Sequence, residues 1–122
     1  MNDLTSKTDI DRVGLSEMSR IALDELVADG HFKDGISGYR LAISFAVMRK
    51  VNFEEHTVNR PAGHMYLISQ LDPDRVFGSL IDEVYPEVKT EKYRTLEKLA
   101  DIGIPMLKEE LHQQGSLVFW ED

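Results

Sequence analysis

The chain has 122 residues, no cysteine and one tryptophan. Without thiols there is no disulfide framework, no thiolate zinc site and no cysteine nucleophile, and the composition fits a reducing cytoplasm. Long apolar runs are also missing. The longest, Leu41 to Met48, is interrupted only by Ser44 and would cross well under half of a bilayer. The opening MNDLTSKTDIDR is polar and lacks the apolar stretch of a secretory leader. The expectation is a cytoplasmic protein with no membrane partner. Basic residues are scarce too: 14 against 22 acidic ones, for a net charge of −8. Bulk charge therefore opposes non-specific attraction to nucleic acid or anionic lipid. A DNA-binding reading requires a local basic face, made by folding or by oligomerisation.

What is present is a domain-sized chain with helical punctuation. Residues 1–122 read as a single domain, with one unit over 9–51 and a helical C-terminal part over 72–114. In DIDRVGL, Val13 and Leu15 share a phase, which gives a short strand. Ser16 suits a helix N-cap, with Glu17 in the first turn where the dipole favours an anion. The first helix is expected from Glu17 to about Asp29. Met18, Ala22 and Leu26, beside Leu23 and Val27, form its apolar stripe. Gly30 stands at the left-handed C-cap position, Phe32 tucks under the joint, and Ser37 or Asp34 starts the next helix. From Tyr39 that helix is apolar on nearly every side. So short a chain offers few elements to surround it. A partner subunit is therefore expected to cover Tyr39, Ala42, Ile43, Phe45 and Ala46, making a dimer or tetramer.

Residues 51–62 form a loop, and HMYLISQL reads equally as a short strand or a helical turn. Asp72 with Pro73 opens a third helix, carrying Val76, Leu80 and Val84 beside Phe77, Ile81 and Tyr85. The fourth begins near Thr90, with Tyr93, Leu96 and Leu99 or Ala100 in its stripe. Gly103 and Pro105 are expected to kink or break it. Gly115 stops it, and SLVFWED follows as a short strand or docking segment.

The chemistry-bearing residues are dispersed. His31, His56, His64 and His112 show no paired metal-ligand spacing and read as surface or joint histidines. Gly35-Ile36-Ser37-Gly38 lacks the spacing of a serine elbow, and no phosphate-binding glycine loop occurs. Adjacent acidic pairs such as Glu54-Glu55, Asp82-Glu83 and Glu109-Glu110 would diverge on a helix. The expectation is a non-enzyme with no metal and no cofactor.

The order of short strand, helix, glycine turn and apolar helix, with DRVGLSE, LDELVADGHF and YRLAISFAV, resembles a ribbon-helix-helix module, antitoxins in particular. Such a module pairs strands from two subunits and places outward strand residues in a DNA groove. The resemblance points to Arg12 as a reader of guanine, with Ile10 and Gly14 also outward. Lys33 lies close to the start of the second helix, where free amides hold a phosphate. Arg40, on that helix, completes the DNA-binding candidates. RLAISFAV followed by LEKLADIGIPMLKEEL is further similar to the DndE family and to accessory proteins of bacterial DNA phosphorothioation systems. That resemblance implies a mainly α protein: a ribbon-helix-helix-like unit, short strand plus two helices, followed by two further helices. It also implies DNA-modification or phage-defence company, homo-oligomerisation, and DNA or another protein of the defence system as partner. Lys89, Lys92, Lys98 and Lys108 lie among glutamates and serve equally well as surface ion pairs. Three alternatives stay open: a ribbon-helix-helix repressor or antitoxin, an acidic adaptor that meets a basic protein, and an acidic DNA mimic that blocks a nuclease.

Overall fold

A computed structural model describes residues 9–59 and 61–114. The expectations for Met1 to Thr8, for the stop at Gly115 and for SLVFWED lie outside the described residues. The rest is mainly helical with one small sheet. In order come β1 (Arg12–Val13), α1 (Glu17–Ala28), α2 (Gly35–Met48), β2 (Tyr66–Leu67), α3 (Ile68–Leu71), α4 (Val76–Val84) and α5 (Lys92–Gln114). The ambiguous HMYLISQL is both things at once, a two-residue strand running directly into a single helical turn.

The strand, helix, turn and helix occur in the expected order. The partner of β1 belongs to the same chain, however: β1 and β2 are antiparallel, with Arg12 opposite Leu67 and Val13 opposite Tyr66. Val13 and Leu15 point inward as the alternation requires. Gly14, expected outward, is buried, because its N–H donates to Glu97 (2.9 Å) and its carbonyl accepts from Tyr39 Oη (2.9 Å).

α2 is the central element, and α5 lies along it. Tyr39, Ala42, Ile43, Phe45 and Ala46 are buried inside the one chain, chiefly by α5 and α1. This corrects the expectation that a partner subunit must shelter them. The sequence underestimated α5, a 23-residue helix that is long enough to cover the whole of α2. Two local features let it run unbroken along α2. Gly103 lets the backbones meet, since a β-carbon there would sit 2.3 Å from the Ala42 carbonyl oxygen. Pro105 has no N–H for the carbonyl of Asp101, four residues back. Ser19 Oγ, buried on α1, donates to that carbonyl instead, at 2.8 Å. The expected break at these residues is therefore absent.

α1 keeps most of its expected stripe, with Ala22, Leu23 and Leu26 buried and Val27 packed against the core, but Met18 is not part of it. Ser19 is buried as well, while Met18 is 81% exposed. Gly30 ends the helix with φ +85°, as expected. Its N–H reaches Val27 O and that of His31 reaches Leu26 O, a Schellman closure. α2 ends the same way, with Lys50 N–H to Val47 O and Val51 N–H to Ala46 O. There Lys50 takes the left-handed position at φ 50°.

α4 starts at Val76, later than Pro73 implied. Asp72 and Pro73 instead form a turn, with Arg75 N–H to Asp72 O at 3.1 Å. The Asp72 carboxylate still caps the helix from further back, accepting from the N–H groups of Phe77 and Gly78, each at 3.0 Å. Ile81 and Tyr85 are buried on its inner side, and Val76 is exposed. Among the described residues no helix is long and apolar enough to cross a membrane.

Candidate functional site

The stretch from Asp29 to Arg40 joins α1 to α2 and sets the geometry of one surface depression. Phe32 is buried beneath the joint. Gly38 admits it, since a β-carbon there would meet Phe32 and Leu23 side chains at 2.7 and 2.6 Å. Asp34, in extended conformation, caps α2 by accepting from Ser37 N–H at 2.9 Å. The hydroxyl and amide of Ser37 hold the Asp34 carboxyl below its usual range. It therefore remains ionised at the helix start, opposing the dipole's positive end.

Lys33, Ser37, Arg40 and Ser44 line this depression of about 450 Å³ together with His31, Phe32 and Leu41. Lys33 is exposed. Arg40 is half-buried and its guanidinium is fixed: Nε donates to Leu71 O at 3.1 Å and Nη2 to Gln70 O at 2.6 Å. It thereby ties the end of α3 to α2. Carbonyls orient the guanidinium, while the ionised Asp34 carboxylate lies within electrostatic reach of both Arg40 and Lys33. The fold thus brings two of the three DNA-binding candidates, Lys33 and Arg40, to one depression. Arg12 is exposed on β1 and does not line it.

Four acidic residues are parts of the frame, and only Asp72 was expected to cap a helix. Asp9 caps α5, accepting from Tyr93 N–H (2.6 Å) and Arg94 N–H (3.0 Å). Asp72 caps α4 and accepts from Tyr93 Oη at 3.0 Å. Glu97 and Asp101, four residues apart on α5, are both buried and face the β1–α1 junction. Asp101 Oδ1 accepts from the N–H and Oγ of Ser16, at 2.8 and 2.9 Å. Its other oxygen lies 2.7 Å from His56 Nε2, so His56 is more than a surface histidine. Burial pushes the Glu97 carboxyl up, against the pull of the Gly14 amide.

A serine, a histidine and an aspartate therefore meet, but around the carboxylate. Ser16 and His56 both point at Asp101, an arrangement that anchors loops and does not place imidazole on the serine hydroxyl as nucleophilic catalysis requires. The signal for this network was in the sequence: Glu97 and Asp101 sit inside the apolar stripe of Tyr93, Leu96 and Ala100. Tyr39, expected at a subunit contact, joins the same region through Gly14, and burial raises its phenol well above the usual value.

The lysines of α5 are partly engaged with neighbouring elements. Lys92 pairs with Asp82 at 2.7 Å, Lys108 with Glu25 at 2.5 Å, and Lys98 lies 6.0 Å above the Phe53 ring. Among the described residues no group of three histidine, aspartate or glutamate side chains is gathered as metal ligands are. No protein-family model, curated protein or solved structure matches the chain.

Proposed function

We propose that the chain is a non-catalytic accessory protein of a bacterial DNA-modification or phage-defence system, and that it holds DNA by its phosphate backbone at the α1–α2 joint. One observation carries this reading. In a protein of net charge −8, Lys33 and Arg40 line a single shallow depression, one exposed and one held rigid. The polar side chains best suited to acid–base work, Asp101 and Glu97, are spent on backbone and loop donors, which supports a binding role over a catalytic one. Phosphate contacts position DNA without reading its sequence. Binding is then sequence-independent and weak. Two such contacts give a slope of about −2 for log K against log salt.

Fluorescence anisotropy with short duplexes at low salt tests the proposal. Lys33→Glu is expected to abolish binding, while Arg12→Ala leaves it nearly unchanged. Absence of binding by the parent protein at low salt refutes it. Tight binding to one palindrome, lost in Arg12→Ala, would favour the ribbon-helix-helix repressor or antitoxin. That form would need two β1 strands to pair between subunits, where β1 now pairs with Tyr66–Leu67 of its own chain.

A second reading, an adaptor for another protein of the system, is favoured by the outer face of α1. Met18 and Ile21, 81% and 50% exposed and one turn apart, stand among Glu17, Asp24 and Glu25. Glu17, with Asp24 and Glu25 in ion pairs to Arg20 and Lys108, gives this apolar strip a charged rim suited to an amphipathic segment. With α2 enclosed, this strip is one exposed apolar surface on which a dimer or tetramer could form. Sedimentation of the parent and of Ile21→Lys addresses this: an oligomer lost in the variant places assembly on α1, and an oligomer retained places it elsewhere.

A further inference from the structure

A cleft of about 730 Å³ opens on another part of the molecule, between α3, the Asp72–Arg75 turn, α4 and the start of α5. Its volume is that of a small-molecule site. The charges around it are unequally committed. The Asp72 carboxylate accepts from two backbone amides and from Tyr93 Oη, whose phenol is pushed up to about 12, chiefly by burial and then by that hydrogen bond. Lys92 is neutralised by Asp82 at 2.7 Å. Arg75 differs: its guanidinium is exposed and engaged in no hydrogen bond or ion pair within the described residues.

The backbone at Arg75 is fixed as well. Its φ is 60°, a left-handed conformation that residues other than glycine rarely adopt. It is held there by its N–H on Asp72 O (3.1 Å) and by Ser79 N–H on its own carbonyl (3.0 Å). The hydroxyls of Ser69 and Ser79, also on the cleft wall, likewise have no hydrogen-bond partner within the described residues. A guanidinium without a hydrogen-bonded or ion-paired partner among the described residues, on a hydrogen-bonded turn and lining the same cleft as two hydroxyls, matches an oxyanion, which a guanidinium grips with paired N–H bonds.

We infer that this cleft binds a small molecule through a phosphate or carboxylate group, gripped by Arg75 with the hydroxyls of Ser69 and Ser79 as further donors. The site is separate from the α1–α2 joint and does not depend on the DNA reading.

Amide and Arg Nε–H NMR titrations of the full chain, with adenosine monophosphate, citrate and adenosine as probes, test it. Saturable shifts centred on residues 69–79 and 92–93 are expected with adenosine monophosphate or citrate, and none with adenosine. The tighter of the two anions identifies the head group. Arg75→Gly removes the guanidinium while relaxing the left-handed turn, so the variant should fold. It is expected to weaken binding by about tenfold or more, the worth of a charge-assisted hydrogen bond. Arg75→Lys should lie between the parent and Arg75→Gly, and Lys33→Glu should bind like the parent. Failure of both anions to saturate, equal shifts with adenosine, or unchanged affinity in Arg75→Gly would each overturn the assignment.

Discussion

The carbonyl oxygen of Ala42 occupies the space that a side chain on Gly103 would need, 2.3 Å from where its β-carbon would be. This approach lets α5 lie close enough along α2 to enclose Tyr39, Ile43, Phe45 and Ala46 within one chain. A glycine opposite a small residue at a helix crossing does here what a second subunit was expected to do.

Gly103→Ala should therefore destabilise the protein despite alanine's better helix propensity, which alone would favour it by about 1 kcal/mol. Backbone against a new methyl group leaves little room to adjust, and overpacking of this kind costs about 1–3 kcal/mol. Urea denaturation measures the balance. A variant as stable as the parent, or more so, would show that the crossing is looser than described.

The Pro105 defect and its repair are separable. Ser19→Ala strips the buried Asp101 carbonyl of its donor, at a cost of about 1–3 kcal/mol. Pro105→Ala restores an N–H to that carbonyl. In a double-mutant cycle, Ser19→Ala should cost less in the Pro105→Ala background, by roughly 1 kcal/mol. Strict additivity would mean that Ser19 acts independently of the proline.

Lys50 at φ 50° closes α2 in a conformation better suited to glycine. Lys50→Gly should raise stability by up to about 1 kcal/mol, the relief of left-handed strain less the added chain entropy. A fall in the thermal midpoint would instead assign the lysine side chain a stabilising role.

Glu97 supplies a pH dependence. Its carboxyl is raised above the usual value mainly by burial, so the folded state binds that proton more tightly than the unfolded chain does. Stability from this group is full below the unfolded value and is lost as pH rises through the folded one. Glu97→Gln should remove that loss while keeping an oxygen acceptor for Gly14. The variant should therefore gain on the parent between acid and neutral pH. Parallel stability curves for the two proteins would contradict the shift.

The helices of the first half were legible because their signals are local. Gly30 ended α1 where a left-handed residue was due, and Asp34, one of the two expected caps, started α2. Arg12 was placed outward on its strand and Val13 inward. Other positions misled for a common reason. Met18 fits an apolar stripe by spacing, yet buried Ser19 takes its place because a carbonyl orphaned by Pro105, more than eighty residues away, needs a donor. Arg40 looked free to meet DNA, and it does line the joint, but two of its nitrogens hold the end of α3. Glu97 and Asp101 stand within the apolar stripe of α5, but nothing nearby in the chain announces Gly14, Ser16 and His56 as their partners.

The sequence by itself determined that the protein is mainly helical, where the first two helices meet, and that the second is apolar almost all round. Those properties follow from φ preferences, capping and periodicity, which act over a few residues. Only the tertiary structure decided what covers that helix, which carboxylates are interior, and which cations share a surface. Each depends on contacts between residues far apart in the chain, where a missing β-carbon at Gly103 or a missing N–H at Pro105 changes which surfaces can touch.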